Sequence, residues 1–185
     1  MSTPTAPRSR YSMGSTKNLV YSLLAVLGMV AVLVLMVPRV ETVGGPPVDV
    51  AAEATQVREE SGWDIVAPQG LPEGWVPTSV RYVRTTGDFM TWHVGYRTPR
   101  DTYVAVEQTM DPTREWVAAQ TNRAPEDGTT EIAGRTWTRF VRDTKVQNSL
   151  LDMPATGSGE LTTLVTGDAD FDDMAIFVEA LRPAG

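Results

Sequence analysis

The chain has 185 residues, a formal net charge of −7 and no cysteine. This length suits one ordinary domain with additional segments, and the lack of cysteine excludes disulfides, thiolate metal sites and cysteine nucleophiles. Arg8, Arg10 and Lys17 are the only charged residues before residue 39, so removing their +3 from −7 leaves −10 for the remainder. An acidic domain repels nucleic acids, and we expect no nucleic-acid partner.

A segment of 19 residues without charge, LVYSLLAVLGMVAVLVLMV, extends from Leu19 to Val37. As a helix it would be about 28 Å long, close to the hydrocarbon thickness of a bilayer. Its apolar surface continues around the whole helix, and a core of this small size cannot bury such a surface. We therefore predict a transmembrane helix over residues 18–38, with the lipid bilayer as its partner.

The flanking residues favour an uncleaved helix with a cytoplasmic N-terminus at the plasma membrane. The apolar run is long for a signal peptide and no Ala-x-Ala follows it, although cleavage after Val37 remains the alternative. Basic residues before the helix favour the cytoplasmic side. The predicted organisation is a disordered basic tail at 1–17, the transmembrane helix at 18–38, a linker at 39–48 and an extracytoplasmic domain at 49–185.

Apolar periodicity and turn residues predict the first elements of the outer domain. Asp49 is expected to cap a short helix that ends at Gly62, and a short strand follows in WDIVAP. Alternation then predicts three strands, TSVRYVRTT, MTWHVGYR and TYVAVEQT, the last two joined as a hairpin by TPRDT. Asp111 is expected to cap the next helix, with Pro112 at its first position.

A second series of strands follows in the C-terminal half. It comprises TTEIAGRTWTRFVRD, bent or hairpinned at Gly134, then VQNSLLD and ELTTLVTG. A last helix is predicted over DADFDDMAIFVEALRP, with Pro183 ending it. Short loops between successive strands imply antiparallel pairing. The predicted fold class is α+β, a mostly antiparallel sheet with helices on one face, preceded by the transmembrane helix.

The only histidine, His93, lies in the strand MTWHVGYR. Alternation directs Trp92, Val94 and Tyr96 toward the core and the polar side chains toward the opposite face. No nucleophile motif or identifiable partner accompanies His93, so we predict no catalytic residue. The polar face is instead a candidate contact surface, formed by Thr91, His93 and Arg97. One histidine without cysteine cannot supply the usual zinc ligands.

An acidic segment before the last helix matches part of a calcium-binding loop. Positions 1, 3, 5 and 12 of such a loop are Asp168, Asp170, Asp172 and Glu179. Position 6, where the loop needs glycine, is Asp173, and the preceding segment is a strand rather than a helix. Helix capping by Asp168 or Asp170 explains the same residues, and we prefer it to a metal site. We predict no cofactor.

Two roles fit the tryptophans at positions 63, 75, 92, 116 and 137. They could form a platform on which sugars stack, as befits a protein of the cell envelope. Each also occupies a position where a small α+β core requires bulk, and aromatic residues fill cores more often than they line ligand sites. We therefore predict that the tryptophans belong to the core.

The segments LPEGW, TWHVGY and GRTW, with TTLVTGDADFDDMAIFVEAL after them, occur in an order that resembles an actinobacterial family, domain of unknown function 4245. The resemblance covers about residues 49–182. It implies a short basic tail, one N-terminal membrane helix and a small extracytoplasmic domain. The family has no established activity, so the resemblance implies no catalytic residues.

Our leading hypothesis is a single-pass membrane protein whose outer domain is a non-enzymatic binding or scaffolding module of the cell envelope. Its partner would be an envelope protein or polymer. The alternative is a cell-envelope hydrolase that uses a carboxylate pair. Such an enzyme should show a deep polar cleft in which at least two carboxylates converge.

Overall fold

The computed structural model describes residues 16–36, 48–142, 144 and 146–184. The chain divides into two units, Met1–Gly44 and Gly45–Gly185. The predicted tail at 1–17 and linker at 39–48 lie outside the described residues, except for positions 16, 17 and 48.

The first unit contains helix α1, Thr16–Met36, which covers most of the segment predicted to be helical. Lys17 is its only charged residue. Large apolar side chains along it are exposed, from Leu19 to Leu33. Among the described residues, no helix combines the length and the hydropathy required to cross a membrane.

The second unit confirms the prediction of an α+β domain with a mostly antiparallel sheet. Its helices are α2 (Val50–Ser61), α3 (Arg114–Gln120) and α4 (Phe171–Glu179). The strands are β1 (Val66–Pro68), β2 (Val76–Arg84), β3 (Met90–Arg97), β4 (Tyr103–Met110), β5 (Glu126–Ile132), β6 (Arg135–Arg142), β7 (Gln147–Asp152), β8 (Leu161–Gly167) and β9 (Leu181–Pro183).

The main sheet has seven strands in the order β2-β3-β4-β8-β7-β6-β5, and all neighbours are antiparallel. It consists of two meanders, β2 to β4 and β5 to β8, which meet where β4 pairs with β8. Val106 lies opposite Val165 in this pairing. A separate ribbon is formed by β1 and β9.

Two of the three predicted helix starts are confirmed. Asp49 caps α2 by accepting a hydrogen bond from the Ala52 N–H, and Asp170 caps α4 by accepting one from the Asp173 N–H. The start predicted at Asp111 is wrong, because the Thr113 hydroxyl accepts from the Trp116 N–H and caps α3 instead. Asp111 accepts a hydrogen bond from the Gly157 N–H, which ties the turn after β4 to the loop before β8.

The last helix ends earlier than predicted. Residues Leu181–Pro183 form β9, in which Ala67 lies opposite Arg182 on β1. The physical reason is that β1 would otherwise leave backbone groups unpaired, and antiparallel pairing with the chain end satisfies them. Pro183 is tolerated because it lies at the end of a short edge strand.

The prediction that all helices cover one face of the sheet is wrong for α3. One core contains α2, α4 and the β1 strand against Trp92, Val94 and Val165. The other core, on the opposite face, places Trp116 of α3 with Phe140, Leu151 and Leu164. The physical reason is that adjacent apolar residues such as Leu150 and Leu151 point to opposite faces of the sheet. Both faces are therefore apolar, and each must pack against another element.

Replacing Trp116 by alanine tests the role of α3. The side chain is fully buried and its Nε1–H donates to the Thr85 hydroxyl. We expect Trp116→Ala to lower the free energy of unfolding by about 3–5 kcal/mol, because it leaves a large cavity. Urea unfolding followed by circular dichroism measures the change. Ile176→Ala, at a position that is 40% exposed, is the control, and an equal loss in both variants would contradict the assignment.

Candidate functional site

His93 lies at the centre of a polar network on the face of the sheet opposite Trp92 and Val94. The register places His93 between Arg81 on β2 and Glu107 on β4. The Nδ1 atom of His93 lies 3.1 Å from Glu107 Oε1. Alternation along β3 therefore predicted the correct face.

The other ring nitrogen of His93 has three polar neighbours. His93 Nε2 lies 3.1 Å from Ser79 Oγ, 3.0 Å from Arg81 Nη2 and 3.0 Å from the Tyr103 hydroxyl. A guanidinium group can only donate, so Nε2 accepts from Arg81 and the ring proton resides on Nδ1, where it is donated to Glu107. These contacts assign the Nδ1–H tautomer.

Tyr103 crosses the sheet surface to reach His93, and Gly95 provides the room. A Cβ atom at Gly95 would lie 2.6 Å from Ser79 Oγ and 2.8 Å from Tyr103 Cε2. Burial raises the pKa of the Tyr103 phenol. The hydrogen bond to Ser79 and the charge of Arg81 partly oppose this rise, and the charge of Glu107 adds to it.

Ser79, His93 and Glu107 form a hydrogen-bonded line of nucleophile, base and carboxylate. An extra residue in β2 between Pro77 and Ser79 forms a bulge, and beyond it Ser79 lies opposite Gly95. Arg81 opposes catalysis by this line, because its guanidinium occupies the Nε2 lone pair and repels the imidazolium that a general base must become. The second oxygen of Glu107, Oε2, is buried without a hydrogen-bond partner. The arrangement therefore favours a structural polar network.

Of the three residues predicted to form a contact surface, Thr91, His93 and Arg97, only Arg97 is exposed. Thr91 is fully buried and His93 is 5% exposed, so neither side chain is accessible to a partner on this polar face. Polar side chains cover the ring, which alternation alone could not reveal. Arg97 is exposed and forms an ion pair with Asp101, 3.4 Å apart.

The partner of His93 could have been found in the sequence. The hairpin loop TPRDT implies that Arg97 pairs with Tyr103, and counting four residues back along β3 and forward along β4 pairs His93 with Glu107. Ser79 could not be found in this way, because the bulge in β2 changes the register by one residue.

A cavity of about 370 Å³ lies on the other face of the sheet, at the end of the β4–β8 pairing. Its polar lining residues are Asp64, Gln108, Arg135, Glu160 and Thr163, and its apolar ones are Trp63, Val66, Met110 and Leu161. A second cavity, of about 360 Å³, shares Gly62, Trp63 and Asp64 with the first. Cavities of this size suit small ligands.

Two buried side chains line the sheet side of the first cavity. Gln108 and Thr163 lie opposite each other on β4 and β8 and are 3% and 4% exposed. Gln108 Nε2 donates to Thr163 Oγ1 over 3.0 Å, and Gln108 Oε1 accepts from the Val66 N–H over 2.6 Å. These bonds hold the segment after Trp63 against the sheet.

Arg135 is the cation of the first cavity and lies between two carboxylates. Its Nε is 2.8 Å from Asp152 Oδ2, and its Nη2 is 3.9 Å from Glu160 Oε2. The contact with Asp152 is an ion pair that lacks the alignment of a hydrogen bond, so Oδ2 remains buried without a donor. Burial raises the pKa of Asp152, and the charge of Arg135 only partly opposes this rise.

The structure places the calcium candidates around the start and the end of α4. Asp168 accepts a hydrogen bond from the Tyr103 N–H, and Asp170 caps the helix. Asp172 lies in the first turn and Glu179 is the last helical residue. Arg100 bridges Asp170 and Asp173, with Nη2 2.7 Å and 2.6 Å from their Oδ1 atoms. Among the described residues, no group of three or more potential ligands is arranged to hold a metal ion.

All five tryptophans lie in or against the two cores, and Trp63 also lines both cavities. Trp92, Trp116 and Trp137 are buried in the two cores, as predicted. Trp75 is half-buried and stacks on Phe177, with ring centroids 5.8 Å apart. Trp63 is half-buried, lines both cavities and packs edge-on against Tyr82.

Comparison with known proteins gives a family but no relative of known activity. The model of a family described as a protein of unknown function (DUF4245) matches residues 12–181. No curated protein and no solved structure matches the chain.

Replacing Gly95 by alanine tests the packing of Tyr103. We expect Gly95→Ala to lower the free energy of unfolding by about 1–3 kcal/mol, because the new methyl group overlaps Tyr103 and Ser79. The loss should be smaller when Tyr103→Ala is also present, and a double-mutant cycle from urea unfolding measures the coupling. Additive losses would show that the two positions do not compete for space.

The reactivity of Ser79 tests the structural interpretation of the network. Since Arg81 occupies the Nε2 lone pair of His93, we expect a fluorophosphonate probe to leave Ser79 unmodified, as measured by mass spectrometry of the intact chain. The control is the unfolded chain with the same probe. Modification of the native protein that disappears in both Ser79→Ala and His93→Ala would contradict this interpretation.

Proposed function

The chain belongs to the DUF4245 family of proteins of unknown function, and we propose that it is a single-pass membrane protein with a non-enzymatic binding module outside the cell. The uncharged run at 19–37 and the exposed apolar side chains of α1 support the anchor. A helix with apolar side chains on all sides needs an apolar environment, and lipid provides one at this length. The basic residues at 8, 10 and 17 support a cytoplasmic N-terminus.

The observation that carries the binding role is the first cavity. It combines fixed polar side chains with a half-buried tryptophan, which is the composition of sites that recognise small polar ligands. Its sheet side is rigid, because Gln108 and Thr163 hydrogen-bond to each other. A preformed site of this kind binds without the cost of ordering loops. The proposed partner is an envelope polymer or protein that inserts a segment here.

A second candidate function is a cell-envelope hydrolase. Asp64 and Glu160 line the same cavity, and burial raises the pKa of Asp152, which shares Arg135 with Glu160. Glycoside hydrolysis uses one carboxylic acid of raised pKa and one ionised carboxylate. An enzyme of this type would convert an envelope glycan into shorter products, whereas a binding module would leave the glycan intact.

Charged substitutions within the apolar run test the anchor. We expect the full chain, expressed in a bacterial host, to remain in the membrane fraction after alkaline carbonate extraction. Leu27→Arg combined with Val30→Arg should release most of it, because an arginine at the helix centre opposes insertion by about 2.5–3.5 kcal/mol. The matched control is Leu27→Ala with Val30→Ala. Equal extraction of the wild type and the arginine variant would contradict the anchor.

The lack of cysteine makes orientation measurable with single introduced thiols. In intact spheroplasts an impermeant maleimide should label Ser158→Cys, in an exposed turn. It should label Ser9→Cys only after lysis. The reverse pattern would place the domain in the cytoplasm.

A further inference from the structure

We propose that the first cavity is a binding site for an uncharged saccharide. This inference rests on the proposed binding function and names its ligand class. Three features of the lining support it: fixed groups that donate and accept hydrogen bonds, charges of both signs, and an aromatic side chain beside the polar groups.

Charge selects among the polar ligands that would fit. Asp64 and Glu160 line the cavity, and Asp152 forms an ion pair with Arg135 of the lining. An anionic ligand would meet more carboxylates than cations, in a part of the chain with a large negative charge. A cationic ligand would have to compete with the guanidinium of Arg135, which already forms ion pairs with Asp152 and Glu160. A neutral ligand avoids both penalties.

Hydroxyl groups match this mixed lining better than other neutral groups. Each hydroxyl donates one hydrogen bond and accepts others, so it can donate to Glu160 and accept from Arg135. Hydrogen bonds to charged groups are stronger than those between neutral groups. Gln108 and Thr163 are already bonded to each other and fix the shape of the sheet side. A ligand with several hydroxyl groups on one rigid ring meets these conditions.

The apolar part of the lining matches the C–H face of a sugar ring. Trp63 packs edge-on against Tyr82, with ring centroids 5.6 Å apart and planes at 86°, so its orientation is fixed. Met110 and Leu161 lie opposite each other on β4 and β8 and extend the apolar surface. A fixed aromatic side chain adds contact area at low entropic cost.

Binding to the full chain in lipid nanodiscs tests the proposal. Nanodiscs avoid detergents with sugar headgroups, which would compete for the site. The probes are the uncharged disaccharides cellobiose, N,N′-diacetylchitobiose and trehalose, with glucosamine as the cationic probe and glucose 6-phosphate as the anionic one. Saturation-transfer NMR detects binding, and titration gives the Kd. We expect at least one uncharged disaccharide to bind saturably and more tightly than both charged sugars.

Substitutions in the cavity locate the site. Glu160→Ala changes an exposed side chain and should weaken binding by about tenfold, as expected when one charge-assisted hydrogen bond is lost. Trp63→Ala should weaken it at least as much. The controls are Glu179→Ala, an exposed carboxylate on α4, and Trp75→Ala, the other half-buried tryptophan. Circular dichroism verifies that each variant is folded.

Three outcomes would overturn the proposal: no saturable binding of any uncharged disaccharide, tighter binding of glucosamine or glucose 6-phosphate, or binding that Glu160→Ala and Trp63→Ala leave unchanged. Failure of the proposed function gives different results. A chain that stays in the membrane but binds no disaccharide refutes the saccharide site alone. A chain that binds in the cavity but is extracted by carbonate refutes the anchor alone, and release of shorter sugars refutes the non-enzymatic role.

Discussion

The pairing of β4 with β8 is the contact on which the rest of the outer domain depends. It joins two meanders, each of which otherwise contains only pairings between successive strands. The backbones of β4 and β8 lie close together at Gly167. A Cβ atom at Gly167 would lie 2.8 Å from the Tyr103 carbonyl carbon and 2.9 Å from Val104 Cα. The Tyr103 carbonyl also accepts hydrogen bonds from the N–H groups of Asp168 and Ala169. One end of the pairing therefore fixes Tyr103, and the other brings Gln108 to Thr163 at the cavity.

The positions of the seven strands of the main sheet were predictable, because each depends on local alternation and turns, whereas β9 was not predicted. MTWHVGYR was predicted with the bounds that β3 has, and a hairpin at Gly134 separates β5 from β6. The side of the sheet that each helix covers was not predictable in the same way, because it depends on which strands become neighbours. The adjacent pair Leu164 and Val165 in β8 was the available signal that both faces are covered. The start of α3 failed because Asp111 and Thr113 are both good caps.

The candidate sites also differ in whether local sequence or the order of the strands brings their residues together. His93 and Glu107 belong to one hairpin, so their proximity follows from a loop length that the sequence contains. The cavity brings together Trp63, Gln108, Arg135 and Glu160, which come from distant parts of the chain. No local pattern relates these residues, and only the order of the strands places them together. The acidic residues before α4 were explained correctly by capping at Asp170, but their link to Arg100 also depends on tertiary structure.

Charge placement distinguishes the two polar regions, which are the structural network around His93 and the cavity that we propose binds a ligand. In the His93 network, the Arg81 guanidinium donates a hydrogen bond to Nε2, the atom that a general base would use. In the cavity, Arg135 forms ion pairs with both Asp152 and Glu160, and its charge favours the ionised form of Asp152. Burial outweighs that effect and raises the pKa of Asp152. Asp152 is not among the residues that line the cavity, so the exposed Glu160 and Asp64, which do line it, are better placed to accept hydrogen bonds from a ligand.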